Sequence, residues 1–343
     1  MAISSWNAGI IRPVAVAPAG PYQDGAASGV WTLDQATFWI KQGLWPTAGN
    51  TLQRGLFTGT YSGSLANVIE YINITAPGNS TDFGDLSVSR YSLGACASSV
   101  RGLFGGGFIT STASNVIDYV AIATTGNATD FGDLTLARYE LAACNSSTRG
   151  VWGGGNTTAG SDVNVIDYIT MASAGNALDF GDLAGTRKQL CSCSSSTLGI
   201  FAGGTGTGGN DNTIYYITIA STGNSTTFGA LPHPGGDNAL RAACSNNTRG
   251  LFAGGIISGA SNIIEYITIA TTGNAVDFGD LTVARYQLGA CASTVRGVFG
   301  GGAGGLNVLD YVTIASTGNA TDFGDFTANM NYVAGCSNVN GGV

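Results

Sequence analysis

Histidine occurs once in this 343-residue chain, as His233. Histidine is the usual general base and the commonest metal ligand. A Ser/His/Asp triad would therefore have to use this one residue, and no nucleophile-elbow motif accompanies it. Positive charge is also scarce: 13 Lys and Arg stand against 21 Asp and Glu, a net charge of −8. Nucleic acid and anionic membrane surfaces both require clustered cations, so neither is an expected partner. No apolar run approaches the roughly 20 residues of a spanning helix, so membrane insertion is not expected. The N-terminus lacks the basic-then-apolar order of a signal peptide. Seven Cys are too sparse for a disulfide-stapled scaffold.

Glycine, by contrast, is plentiful at 54 residues, and it recurs with a period. A Gly–apolar–aromatic block appears at Gly55-Leu-Phe57, Gly102-Leu-Phe104, Gly150-Val-Trp152, Gly199-Ile-Phe201, Gly250-Leu-Phe252 and Gly297-Val-Phe299. The intervals are 47, 48, 49, 51 and 47 residues, and another 47 residues run from Gly297 to Val343. Six units thus fill 55–343.

Each unit reads as four short strands. The first is small and apolar and ends in Cys, as in Leu93-Gly-Ala-Cys96. The second carries the aromatic residue followed by Gly-Gly. The third is a β-branched run such as Val116-Ile-Asp-Tyr-Val120, and a Gly126-Asn127 turn leads to the fourth, around Asp130-Phe-Gly-Asp-Leu134. Four strands in about 40–50 residues is the signature of a propeller blade. The fold expected over 51–343 is therefore an all-β, six-bladed β-propeller. The repeats begin on a second strand and end on a first strand. Strand 332–338 is accordingly expected to complete the first blade and close the ring, pairing two edges that would otherwise invite aggregation.

The double Gly after the second strand (Gly105-Gly106), the Asp-Tyr of the third (Asp118-Tyr119) and the Arg before the first (Arg138) resemble Kelch repeats over about five-sixths of the chain. The usual late Trp is replaced by Phe83, Phe131, Phe180, Phe228, Phe278 and Phe323.

Antiparallel order puts the first–second and third–fourth turns on one face of the disc. The second–third loops and the inter-blade connections fall on the other. Spans on the turn face are constant, with 15 residues from the Asn before the third strand to the residue before Phe-Gly in all six units (67 to 82, for example). Spans on the loop face vary between 10 and 14, and the repeat-four connection carries three extra residues around Pro-His-Pro-Gly-Gly. Variable loops on a rigid scaffold commonly carry recognition. The candidate recognition residues on that face are Tyr61, Phe108, His233, Ile256 and Ile257.

Six Cys recur at equivalent first-strand positions: Cys96, Cys144, Cys193, Cys244, Cys291 and Cys336. They are expected to be small buried hydrophobes, not a metal or redox ring. The repeated Asp-Phe-Gly is expected to be a structural turn. The Gly-Gly-Gly runs are not phosphate loops, because no Lys-Ser/Thr follows. Repeated acids (Glu70, Asp118, Asp167, Glu265, Asp310) and arginines (Arg90, Arg138, Arg187, Arg285) are expected to pair as scaffold, with repeat four departing at Tyr215. No catalytic, cofactor-binding or metal-ligating residue is assigned, and the chain is not expected to be an enzyme.

Residues 1–50 differ in composition and hold four of the five Trp: Trp6, Trp31, Trp39 and Trp45. Thr32-Leu-Asp-Gln35 reads as a capping box opening one small helix to Gln42. This arm is the expected anchor to other proteins. Ala27-Ser-Gly-Val-Trp-Thr-Leu-Asp-Gln35, followed by Gly43-Leu-Trp-Pro46, resembles a motif of tailed-bacteriophage virion proteins, and the repeat pattern resembles phage structural proteins. The resemblance implies a non-enzymatic component of the virion, made in the host cytoplasm and present in multiple copies. Its arm would join other virion proteins. Its propeller would face a host-surface glycan or receptor, or a neighbouring virion protein. A propeller enzyme acting on polysaccharide and a Kelch-type protein-interaction module are the alternatives.

Overall fold

Every repeat builds the same sheet, because its apolar residues alternate at the period of a strand while Gly, Asn and Ser punctuate the turns. In blade two the order from the axis outward is Gly94–Ala97, Arg101–Gly105, Val116–Ala121 and Thr129–Asp133, each antiparallel to its neighbour. The computed structural model describes residues 53–61, 65–206, 209–233 and 238–339, and these form six such four-stranded sheets, a six-bladed β-propeller. No helix occurs among the described residues. The arm residues Trp6, Trp31, Trp39 and Trp45 and the expected helix over 32–42 lie outside them.

Blade one takes its inner strand from the end of the chain. Met330–Ser337 pairs antiparallel with Arg54–Tyr61, with Leu56 opposite Cys336. The six inner strands then stand side by side around the axis, and Met330–Ser337 neighbours both Gly289–Ala292 and Gly94–Ala97. No inner strand is left at an open edge.

The core is divided into six layers, one between each pair of neighbouring blades. Leu56 and Ile69 of blade one, for example, pack with Phe104, Val120 and Ile122 of blade two. Leu103 and Ile117 of blade two pack with Trp152, Ile169 and Met171 of blade three. Phe57 and Ile72 of blade one close the circle against Val298 and Leu309 of blade six. At ~25 cal/mol per Å² of apolar area, burial of side chains of this size dominates the stability of each layer.

Two polar devices repeat around the rim. The Gly-Asn turn of each blade hooks the outer strand of the preceding one. Gly126 N donates to Phe83 O at 2.8 Å and Asn127 Oδ1 accepts from Asp85 N at 3.1 Å. The same hook joins blade one to blade six through Gly78, Asn79, Phe323 and Asp325. The Asp-Phe-Gly block is not a turn as expected but a bulged outer strand, in which Asp118 pairs with Asp130 and the register shifts by one before Gly132. Its glycine has φ near +147°, and the backbone of the next blade's Gly175 lies where a Cβ would go. Side chains are excluded there for both reasons.

The second device is a buried ion pair. Arg90 in the connection between blades holds Asp118 of the third strand at 2.9 Å, with both side chains fully buried. Arg138–Asp167 at 2.7 Å and Arg285–Asp310 at 3.0 Å repeat it. Each guanidinium also caps a second-strand carbonyl, as Arg90 does at Phe104 O. Burial lowers the pKa of all three arginines against the opposing pull of the partner carboxylates. Paired in this way, the charges fix the path of the connection. In blade four, Arg187 pairs instead with Asp211 and donates to the Tyr215 hydroxyl at 2.7 Å.

Candidate functional site: the channel mouth on the loop face

Just before each inner strand the connection reaches the axis with one residue in the left-handed region. These residues are Ser92, Glu140, Gln189, Leu240, Gln287 and Tyr332, with φ of 54°, 56°, 58°, 56°, 62° and 50°. They ring the mouth of the central channel, a shallow depression of about 80 Å³ floored by the following residues, Leu93, Leu141, Leu190, Arg241, Leu288 and Val333. The conformation turns the backbone N–H toward the preceding blade. Glu140 N donates to Ser92 O at 2.8 Å, Gln189 N to Glu140 O at 2.9 Å, Leu240 N to Gln189 O at 3.0 Å and Gln287 N to Leu240 O at 2.9 Å. A left-handed residue with a Cβ costs roughly 1–2 kcal/mol. The backbone ring is nearly symmetric, yet its side chains differ from blade to blade.

One acid stands at this mouth. Glu140 accepts from Gln189 Nε2 at 2.9 Å. Its pKa is raised, chiefly by burial and also by Asp162, against lowering by Gln189 and Lys188. Lys188 is itself 3.6 Å from Asp162. Arg241, on the floor, is fully buried and pairs with Glu265 at 2.8 Å. It occupies the place of the leucine that other repeats carry, while Asn238 stands where they carry arginine. The ion pair of blade five is thus preserved from a different sequence position, which no pairing by repeat register would have found.

An aromatic arc runs outward from the mouth. Tyr332 lies against Tyr91 with ring centroids 5.1 Å apart, Tyr91 meets Phe108 edge-on at 5.8 Å, and Phe108 meets Tyr139 at 4.7 Å. All four rings are half-buried, leaving aromatic surface open to solvent. Phe108 is presented by a small hairpin, Phe108–Ile109 with Thr112–Ala113, bridged to Tyr91.

Of the residues singled out in the sequence, Phe108 is therefore a member of this arc. Tyr61 ends the second strand of blade one opposite Met330. Half-buried Ile256 is held by bridges to Ala239 and Ala260, with half-buried Ile257 beside it. His233 is 37% exposed, and its Nε2 lies 3.1 Å from Glu265 Oε1. The mouth residues were missed, because Glu, Gln, Leu and Tyr carry no turn signal and only their place four residues before each first-strand Cys marks them as equivalent.

The opposite face is occupied by structural ties. Arg101 lies over the Tyr119 ring at 5.2 Å and donates to Met171 O of the next blade at 2.7 Å. Arg149 does the same with Tyr168 and Ile219 O, and Arg249 with Tyr266 and Ile314 O. The six ring cysteines and Cys191 are all buried. Burial raises every one of these thiols, Cys191 and Cys336 to about 12. No cluster of His, Cys, Asp and Glu able to hold a metal occurs among the described residues.

A scan against protein-family models finds no match, and a search of curated proteins finds none either.

Proposed function

We propose that this chain is a non-enzymatic binding module of a tailed-phage particle, with its loop face turned to a host-surface glycan or receptor, or to a neighbouring virion protein. The observation that carries the binding part is the open aromatic arc Tyr332–Tyr91–Phe108–Tyr139 beside the mouth. Rigid aromatic rings give contact area at low entropic cost and concentrate binding energy. The scaffold behind them is tied between blades by hooks and ion pairs, so little ordering is left to pay for on association. The virion part is supported by the resemblance of the repeat pattern to phage structural proteins and by the arm motif Ala27–Gln35 with Gly43–Pro46. On this reading the Trp-rich arm anchors multiple copies to other virion proteins.

The test has two halves. Electron microscopy and mass spectrometry of purified particles should place the chain on the virion surface, and its absence from particles removes the virion reading. The purified protein should compete with particles for host cells or for a virion partner, and Tyr91→Ala with Phe108→Ala should abolish the competition.

A further inference from the structure

We infer that the six left-handed residues at the channel mouth form a subsite for one sugar residue of a neutral oligosaccharide. The inference rests on the binding-module reading and deepens it.

The first support is conformational. Eight described residues other than glycine have positive φ, and six of them are this ring. Elsewhere the chain meets a comparable left-handed φ with glycine, as at Gly106, Gly154, Gly203, Gly254 and Gly301, with φ between 63° and 72°. Glycine would make the same inter-blade hydrogen bonds without strain. Six side chains kept where glycine fits better point to work done by the side chains, since strain of this kind collects at ligand sites.

The second support is broken symmetry. The residues around the ring repeat: Leu93, Leu141, Leu190 and Leu288 follow it, and small residues come next. The ring itself reads Ser, Glu, Gln, Leu, Gln, Tyr. A six-fold partner would be met by six like residues. A small asymmetric ligand on the axis is met by unlike ones.

The third support is chemistry. Gln189 and Glu140 are already joined at 2.9 Å, which fixes the Gln189 amide while leaving acceptor and donor sites for adjacent hydroxyls. Gln287, Ser92 and Tyr332 add further groups of both kinds, and Leu240 is apolar. A pyranose offers hydroxyl edges and apolar C–H faces. The edges suit the ring, and the faces of the following sugars suit the arc that begins at Tyr332 and Tyr91. The cations at the mouth are taken: Arg241 by Glu265 and Lys188 by Asp162. Among the described residues, no unpaired cation at the mouth is therefore set to neutralise a sialic or uronic acid.

The experiment uses the full chain on an array of neutral oligosaccharides and their sialylated and uronic-acid forms, with Gln189→Gly and Gln287→Gly as variants. Wild type should bind neutral glycans only. Gln287→Gly should melt at the same temperature or about 2 °C higher. Gln189→Gly gives up its bond to Glu140 and is read on affinity alone. Each should lose at least tenfold in affinity. A fall in the melting temperature of Gln287→Gly would mean its side chain serves stability, and would overturn the inference. Retained affinity in both variants, with loss on Tyr91→Ala or Phe108→Ala, overturns the subsite but leaves the binding face standing. Preference for acidic glycans overturns the ligand class. If wild type binds no saccharide, the subsite and the glycan part of the parent reading fail together, while binding to a virion protein is decided by the competition assay.

Discussion

The sulfur of Cys244 fills the space that a side chain on Gly297 would need. A Cβ on Gly297 would lie 2.9 Å from Cys244 Sγ, with Leu251 and Val312 at ordinary contact distances of 3.4 and 3.6 Å. The pair joins the inner strand of blade five to the second strand of blade six. Cys96 with Gly150, Cys144 with Gly199 and Cys193 with Gly250 repeat it. The two most regular features of the repeat are therefore one complementary contact. Gly297→Ala should destabilise by about 1–3 kcal/mol through overpacking. Adding Cys244→Ala should recover at least about 1 kcal/mol relative to the sum of the single changes, measured by urea unfolding. Strict additivity would mean the two do not share that space.

The buried thiols set the alkaline limit of stability. Folded thiols titrate far above the ordinary value near 8.5, with Cys191 and Cys336 at about 12. Their contribution is complete below about pH 8.5, where both states hold the proton. It is lost as pH rises toward the folded values, because the unfolded chain then releases protons that the folded chain keeps. Unfolding free energy should fall above pH 9 with a slope approaching ~1.4 kcal/mol per pH unit for each titrating thiol. Native protein at pH 8 should react slowly with iodoacetamide, and denatured protein at all seven Cys. A flat stability profile from pH 8 to 10 would contradict the burial.

Loss of Arg241 should be costly even with His233 near Glu265. Glu265 is 1% exposed, and Arg241 reaches it at 2.8 Å from the channel floor. Arg241→Met should cost about 3–5 kcal/mol by leaving a buried charge behind. Arg241→Met with Glu265→Gln should cost clearly less, because the stranded charge is gone. Equal losses for the two variants would show that Arg241 acts by packing alone.

Closure can be cut directly. Deleting Met330–Val343 removes the inner strand of blade one and exposes Arg54–Tyr61 along with its two neighbouring inner strands. Such edges recruit other chains. The truncated protein should be insoluble or lose cooperative unfolding in calorimetry. A truncated chain that melts as the full chain does would mean the ring holds without its last strand.

The blades were legible because their period survives in every repeat: Gly-x-aromatic, Asn-x-(Ile/Leu)-x-Tyr and Phe-Gly each mark one strand. The scaffold pairing of arginines with acids was legible in the same way for Arg90, Arg138 and Arg285. Arg241 was not, because the compensating residue sits three places from its repeat position, at a leucine site. The mouth was not legible either. Left-handed residues announce themselves as Gly or Asn, and Glu140 or Gln189 in that conformation is enforced by the blade-to-blade hydrogen bonds, which only the closed ring creates. The turn-face arginines Arg54, Arg101, Arg149, Arg249 and Arg296 donate to carbonyls one blade away and are not free to meet a partner.

The central claim is that the loop face, not the turn face, binds. Val100 and Val295 lie in first–second turns of the turn face and are 63% and 58% exposed, so they can be changed without touching the inter-blade ties. The decisive measurement is host-cell or partner adsorption of the full chain, by surface plasmon resonance or pull-down, for two double variants of matched stability. Tyr91→Ser with Phe108→Ser should reduce affinity at least a hundredfold, about 2.7 kcal/mol at 1.36 kcal/mol per decade. Val100→Ser with Val295→Ser should leave it within twofold. Full binding by the first variant together with loss in the second would place recognition on the opposite side of the disc.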